Sequence, residues 1–537
     1  MASDSGHVQG EAQSDSKGQV LPFRESLLAM LGIAFVVMLV ALDQTVVATA
    51  LPTVVAELQG FEYYAWVATA YLLTSVVTVP VFGRLGDYYG RKPFVLASIV
   101  VFLIASVLCG MATSMPYLVA ARALQGIGGG MLVGTAFACV PDLFPDSHVR
   151  LRWQVILSTA FGLANALGPS LGGLLTEWYG WRAVFYINVP VGLMGLVIAW
   201  RYLPHLRQSR HEGPIRIDWL GALLIAAGLG SLQLSVEWLP ERGFDIVTIG
   251  LMVLSCASFV ALWQWSRRCQ APILPLDMFR NPALAPLFLL GVLGGFAMFA
   301  LLLYAPLLFQ GGFGYSPKEA GLLVTPLVVC ITVGSIVNGR IITRIPQPNS
   351  MLYAGFAMLA LALLGLSQAT RSMHHNVLLA IMLCAGLGLG FVLPNLTVFA
   401  QQTAGRAHLG IATAMLQSLR MVGGMVGTAL VGTLVTRSYT TGVTASLAAV
   451  NASDWASRLT DPQILIDKAA QAELLTHLQK AGHNGALLLE QARVSLVSAI
   501  HLGLLLAAVA ALIGIWRVRR VPPITLARVH EPAMAAD

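Results

Sequence analysis

The sequence predicts an all-α membrane protein with fourteen transmembrane helices, and three observations carry that expectation. Hydrophobic residues make up 57% of the 537-residue chain and charged residues 11%. An ordinary soluble protein is roughly 25% charged, so this chain has too few polar groups to cover a surface facing water. The apolar residues are gathered into runs of about twenty, the length a helix needs to cross a bilayer core of about 30 Å. These runs lack the alternating polarity of barrel strands, so the spans are helical. Collagenous, disordered, disulfide-stapled and soluble-enzyme classes are thereby excluded. The six cysteines (Cys109, Cys139, Cys256, Cys269, Cys330 and Cys384) are scattered with neither metal-ligand spacing nor a disulfide framework.

The first six runs are Ser26–Ala50, Tyr64–Gly83, Phe94–Met111, Tyr117–Val140, Trp153–Leu175 and Ala183–Tyr202. Two follow at Trp219–Val236 and Ile246–Trp265. The last six are Ala283–Leu308, Ala320–Val337, Met351–Leu366, Val377–Ala400, Leu409–Val435 and Ser495–Ile515. The first run is too long for the apolar core of a secretory signal, and no clear cleavage site follows it.

Loop charges set the orientation. With the N-terminus inside, 21 Lys and Arg fall in the tails and inward loops, 9 fall in outward loops, and Arg122 and Arg420 lie within spans. Positive residues collect on the cytoplasmic side of membrane proteins. The formal net charge of +7 therefore reads as topology rather than as a nucleic-acid surface. Both termini are expected in the cytoplasm. The expected organisation is a disordered tail at 1–25, a six-helix half at 26–202, a linker with two inserted spans at 203–266, a second six-helix half at 267–515 and a cytoplasmic tail at 516–537. Residues 437–491 form a long outer loop. Within it, Asp461-Pro462 followed by Ile464, Leu465, Ala469, Ala472 and Leu475 reads as a capped amphipathic helix. It is expected to pack over the outer mouth, with docking of a periplasmic partner as the alternative.

The two halves repeat. Gly83-Arg84-Leu85-Gly86-Asp87 after the second span corresponds to Gly339-Arg340-Ile341-Ile342-Thr343 after the tenth. Arg122-Ala123-Leu124-Gln125-Gly126-Ile127-Gly128 in the fourth span corresponds to Met382-Leu383-Cys384-Ala385-Gly386-Leu387-Gly388 in the twelfth. The glycine spacing of the fourth span is kept in the twelfth, while Asp87 and Arg122 are lost from the second copy. Paired halves with a site between them are a transporter architecture.

These residues also carry a resemblance. Gly83 through Lys92 resembles the signature loop of the major facilitator superfamily. Leu42-Asp43-Gln44-Thr45-Val46-Val47 with Ala50-Leu51-Pro52 resembles the first-span motif of its fourteen-span drug/proton antiporter family. Arg122, Gln125 and Gly126 resemble the fourth-span motif, and Gly168-Pro169-Ser170-Leu171-Gly172-Gly173 the fifth-span antiporter motif. Trp181-Arg182, Phe185, Ile187-Asn188-Val189-Pro190 and Gly192 are similar to that family as well. The likeness runs from about Ser26 to the end of the spans. The chain departs from the pattern at Tyr88, Ala48, Ala164 and Val155. The resemblance implies a major facilitator fold of two six-helix halves with an inserted helix pair, in the bacterial inner membrane. It further implies proton-driven efflux of lipophilic, cationic small molecules by alternating access. The energy source is the proton-motive force, with no cofactor and no metal. The expected partners are the small-molecule substrate and the lipid bilayer, with a periplasmic adaptor and an outer-membrane channel as candidates; none is a nucleic acid.

Asp43 is the only acidic residue deep in an apolar span, where a charge costs at least ~2.5–3.5 kcal/mol. Asp43 lies about seven residues, and Arg122 about five, from the outer end of its span, so their depths agree within a few Å at 1.5 Å per residue. They form the candidate proton-coupling pair, with a permanent structural bridge as the plain alternative. Gly168, Pro169, Gly172 and Gly173 are the candidate gate, because small residues let helices close tightly over the outer path. Gly83, Asp87, Gly90 and Arg91 are the candidate conformational latch, with a topology-setting turn as its plain counterpart. Substrate contacts are expected from apolar and aromatic faces with few polar anchors. The candidates are Trp66, Tyr71, Phe161, Asn165, Phe296, Phe299, Tyr304, Asn395, Met415 and Gln417. Aromatic rings and Asp43 together would suit lipophilic cations. Arg420 reads equally as a satisfier of backbone carbonyls or as a substrate contact. Export of an endogenous metabolite or siderophore is the second reading, and a channel or receptor the reading from another class. An enzyme is not expected: the chain has no nucleophile–base pair, metal cluster or phosphate-cradling loop.

Overall fold

The computed structural model describes residues 22–144, 147–204, 218–269, 272, 276–342, 345–404, 409–449, 452–466, 468–480 and 484–523. Among them are fourteen helices of fifteen residues or more. The first half holds α1 (Phe23–Leu58), α2 (Tyr64–Tyr89), α3 (Arg91–Gly110), α4 (Met115–Leu143), α5 (Ser147–Tyr179) and α6 (Asn188–Tyr202). An inserted hairpin follows as α7 (Trp219–Arg242) and α8 (Ile246–Ser266). The remainder are α9 (Ala285–Leu307), α10 (Pro317–Ile341), α11 (Ser350–Leu366), α12 (His375–Ala404), α13 (Leu409–Ala449) and α14 (Gly485–Val518). Ten described segments are long and apolar enough to cross a membrane by length and composition alone. No strand occurs among the described residues.

Helix α1 packs on α5 and α6, α4 packs on α2 and α3, and α6 also meets α3. The later helices repeat the scheme: α13 packs on α9 and α14, α12 on α10 and α11, and α11 on α14. The α7–α8 hairpin leans on α2 and α13. Across the molecule, α5 meets α10 and α2 meets α13. The largest apolar cluster runs from Ala41–Val55 of α1 into α9, α10, α12, α13 and α14. A second cluster gathers Ala29–Val40 of α1 with α2, α3 and α4, joined from α13 by Met421 and Met425. We call "outer" the end bearing the α1–α2 connection, following the loop charges. The apolar core thus crosses between the halves toward the outer end.

Four local features depart from the sequence reading, each for a physical reason. The Gly83–Lys92 stretch is not an open loop: α2 continues through Tyr89, and Gly90, at φ 87°, alone turns the chain into α3. Glycine supplies that left-handed backbone without a Cβ clash. Gly86, within the same stretch, is helical. The sixth span breaks into a short helix, Arg182–Tyr186, and α6. Pro190 has no N–H and crowds the carbonyl four residues earlier, which interrupts the ladder there. Past Pro306, α9 widens into a π turn at Leu308–Gly312, where Phe313 N–H donates to the Leu308 carbonyl at 2.9 Å.

The outer segment is the fourth. Helix α13 reaches Ala449, and α14 begins at Gly485, both well inside the stretch read as loop. Forty-one helical residues extend ~60 Å at 1.5 Å per residue, about twice the bilayer core. The expected amphipathic helix is divided into a 3₁₀ turn, Pro462–Leu465, and a helix, Lys468–Lys480. Asp461 caps the turn by accepting from Gln463 N–H at 3.0 Å. Burial, together with the Glu62 carboxylate, pushes the Asp461 carboxyl above its usual range. Pro462, Gln463 and Leu465 are buried. With its amide oriented to satisfy its neighbours, Gln463 donates to the Val55 carbonyl at 3.1 Å and accepts from Gly60 N–H at 2.6 Å. The turn is therefore docked on the α1–α2 connection.

Candidate functional site

Asp43 lies on α1, 1% exposed, at the centre of a polar cluster drawn from five helices. Arg122 of α4 donates to Asp43 Oδ2 at 2.6 Å. Asp43 Oδ1 accepts from Gln125 Nε2 at 2.8 Å and from Asn188 Nδ2 of α6 at 3.1 Å. Ser106 of α3 accepts from Gln125 at 2.8 Å and from Asn188 at 3.3 Å. Arg122 spends its remaining donors locally: Nη1 also reaches Gln125 Oε1 at 2.6 Å, and Nε donates to the Val67 carbonyl of α2 at 3.1 Å. Its guanidinium also stands 4.6 Å from the Tyr71 ring centroid, a cation–π distance. A buried pair holds only when hydrogen bonds satisfy the rest of each ion, and deleting one partner typically costs about 3–5 kcal/mol. The depth arithmetic brought Asp43 and Arg122 together. Depth along the helix did not single out Gln125, Ser106 and Asn188 as partners; Gln125 and Asn188 stood only within family-like motifs, and Ser106 only as a polar residue interrupting an apolar run.

The glycine segment of α5 faces two neighbours. A Cβ at Gly168 would come within 1.9 Å of Thr45 Oγ1, and one at Gly172 within 2.3 Å of Thr49 Oγ1, both on α1. On the other side, a Cβ at Gly173 would lie 2.4 Å from the Pro317 carbonyl. One at Gly321 of α10 would lie the same 2.4 Å from the Pro169 carbonyl. Ser170 and Thr325 are hydrogen-bonded across this contact. Glycine is what permits the backbones to touch. Further contacts join the halves nearby: Thr69 with Thr428 at 3.1 Å, and Tyr64 Oη donating to the Leu303 carbonyl at 2.9 Å. Gln310, in the π turn, donates to the Thr49 carbonyl at 2.8 Å and accepts from Thr53 at 3.3 Å. All these contacts lie on the outer side of the Asp43 cluster or level with it. Along this end α5 touches α1 and α10, and α1 and α2 touch helices of the second half.

Of the latch candidates, Gly83 faces the Gly134 carbonyl, Gly86 packs near Arg91 Cγ, and Gly90 makes the turn. The Asp87 side chain lies outside the described residues. So do those of Phe161 and Asn165 among the substrate candidates. The remaining candidates do not form one surface. Tyr71 is buried against Arg122 within the ionic cluster. Tyr304 is buried in the outer closure, 5.7 Å from the Tyr64 ring and bonded to the Thr428 carbonyl at 3.3 Å. Asn395 is paired through both amide groups with Asn338 of α10, at 2.8 and 2.9 Å. Tyr71, Tyr304 and Asn395 are thus committed to packing or pairing in this conformation. Met415 and Phe296 are buried, and Trp66, Phe299 and Gln417 are half-buried.

Two helical bundles, joined at glycine contacts and holding an ion pair buried within the spans, have the architecture of a polytopic membrane transporter. The family model described as Major Facilitator Superfamily matches residues 33–428. The chain belongs to that superfamily, and is a multi-pass membrane transporter rather than an enzyme. It is 31% identical over 499 residues to the multidrug transporter protein MdtP of Bacillus subtilis (strain 168), covering 90% of this chain and 91% of that one. It is 32% identical over 408 residues to the tetracenomycin C resistance and export protein of Streptomyces glaucescens, covering 76% and 75% respectively. In fold it is similar to a bacterial homologue of the human lysosomal transporter Spinster, captured inward-facing and unoccupied. There the TM-score is 0.65 at 14% identity, over 93% of this chain and 98% of that one.

Proposed function

We propose that the protein exports lipophilic small molecules across a bacterial plasma membrane by proton antiport, with both termini in the cytoplasm. The observation that carries this reading is the buried Asp43–Arg122 pair beneath a closed outer seam. A carboxylate matched by one guanidinium and two amides is a group whose protonation changes how three helices are held. Protonation from the outer side removes the charge that attracts Arg122, loosens α1 from α4 and favours closure of the seam behind the proton. Release to the cytoplasm restores the pair. One proton entering down 100 mV supplies ~2.3 kcal/mol, enough for about a fiftyfold gradient of a neutral substrate. The similarity to a named multidrug transporter supports drug-like substrates. Export of a self-made metabolite by the same cycle is the second reading, supported by the similarity to an antibiotic export protein.

The test is a drug-susceptibility panel of cells with and without the protein, repeated with an uncoupler. Resistance is expected and should vanish on uncoupling; resistance that survives the uncoupler overturns antiport. With a drug so identified, D43N in proteoliposomes should lose the ~50-fold proton-driven accumulation. Normal proton-driven transport by D43N removes Asp43 from the mechanism.

A further inference from the structure

A second basic residue lies within the spans and takes no part in the ionic cluster. Arg420 is on α13, eight residues to the inner side of Thr428, or ~12 Å at 1.5 Å per residue. Its stem rests on α9, where a Cβ at Gly295 would stand 3.0 Å from Arg420 Cγ. Met421 and Met425, beside it, pack among Tyr71, Leu72 and Val76 of α2. This stretch of α13 is therefore wedged between the two halves, below the outer closure. Arg420 is half-buried, and its Nε is fully buried with no hydrogen-bond partner. No carboxylate among the described residues pairs with it. The sequence reading allowed that it satisfies backbone carbonyls; none accepts from its Nε.

The contrast with Arg122 is direct. Arg122 has a carboxylate, an amide oxygen, a carbonyl and an aromatic face. Charges inside a membrane are retained where they pair or act. Asp43 cannot serve a cationic substrate in this conformation, because donors already occupy both of its oxygens and Arg122 matches its charge. Among the described residues, the charge left uncompensated between the halves is positive. Gln417, half-buried and one turn away on the same side of α13, adds a neutral donor. Phe299 packs over Gly424 and Phe296 over Gly427, setting aromatic surface from α9 beside the same helix.

We propose that Arg420 is the charge-recognition group of the substrate site, and that it takes a carboxylate or similar anion carried on a lipophilic, aromatic body. This rests on the exporter reading but not on proton coupling, because recognition is read at equilibrium with no gradient. The amphiphile is held by a guanidinium–anion contact at one end and by ring packing at the other. Lipophilic cations, expected from the aromatic residues and Asp43, are disfavoured by the same charge.

The probes are 1-pyrenebutyrate, its methyl ester and 1-pyrenebutylammonium, titrated by calorimetry into the full-length protein in lipid nanodiscs. The butyrate should bind about tenfold or more tighter than the ester, as expected for a charge-assisted contact, and the ammonium weakest. R420Q should erase the preference while leaving the ester unchanged, and R420K should keep part of it. Equal binding of butyrate and ester by the wild-type protein overturns the proposal, as does a preference that R420Q retains. Should R420Q not fold, phenylglyoxal labelling of Arg420, read by mass spectrometry, decides. Protection by the butyrate and not by the ester supports the site, and equal labelling overturns it. Failure of the D43N test leaves this result intact, and a flat titration here leaves the coupling test intact.

Discussion

Helices α4 and α12 occupy corresponding places in the two halves and are built on the same glycine frame. Cβ atoms at Gly126 and Gly386 would come within 2.3 Å and 2.1 Å of backbone carbonyls on α2 and α10. Gly128 and Gly388 meet the backbones of α3 and α11, and Gly130 and Gly390 return to α2 and α10. Four residues before the first glycine of each frame the likeness ends. Arg122 there anchors a buried ionic cluster, whereas Met382 is 0% exposed in apolar packing. The second half keeps a neutral buried pair, Asn338–Asn395, and Arg420, whose Nε has no partner among the described residues. The lesson is that helix approach and ion chemistry are separable. Glycine spacing sets the first and is repeated; the charge is placed once.

Breaking that separation should have its largest effect where a charge enters the half whose spans carry no acid to receive it. M382R places a guanidinium in apolar packing, at a cost of at least ~2.5–3.5 kcal/mol. A sharp loss of monodisperse protein and a lowered melting temperature are expected, and an unchanged melting temperature would mean that the second half hides an acceptor. Next comes the glycine seam. G173V forces a branched side chain against the Pro317 carbonyl, and overpacking costs about 1–3 kcal/mol, or roughly tenfold in the population of the closed state per 1.4 kcal/mol. Spin labels at the outer ends of α5 and α10 should move apart and transport should fall; wild-type distances would remove this seam from the closure. The smallest effect concerns the neutral pair. N338L leaves Asn395 unsatisfied and should cost about 1–3 kcal/mol, whereas N338L/N395L should be nearly neutral. Thermal unfolding of the single and double variants reads the difference, and a double variant as weak as the single would show further partners in the pair.

The sequence made Asp43 and Arg122 legible because rarity and depth along a helix are one-dimensional quantities. Asn188 and Ser106 were not legible as their partners. Whether a polar residue in an apolar run faces lipid or a neighbouring helix depends on rotation about the helix axis, and that is set by packing. The same reason separates the aromatic candidates. Tyr304, Tyr71 and Phe299 look alike as aromatic residues within spans, yet the first bonds the Thr428 carbonyl, the second flanks Arg122 and the third lies on Gly424. The Gly83–Lys92 segment misled in the opposite direction. Charges and glycines read as loop, but a helix end beyond the apolar core can carry both, and one residue with positive φ suffices for the turn.

By itself the sequence determined that this chain lives in lipid, how many apolar runs it carries, where its two copies align and which two buried charges match in depth. All of these follow from composition and spacing, because a bilayer fixes the length and polarity of every span. Tertiary structure alone decided that both oxygens of Asp43 are spoken for, that α5 touches α10 at Gly173 and Gly321, and that Arg420 has no carboxylate partner among the described residues. Those are statements about partners. A side chain's partners depend on which helix faces lie together, and no spacing along one chain can specify that.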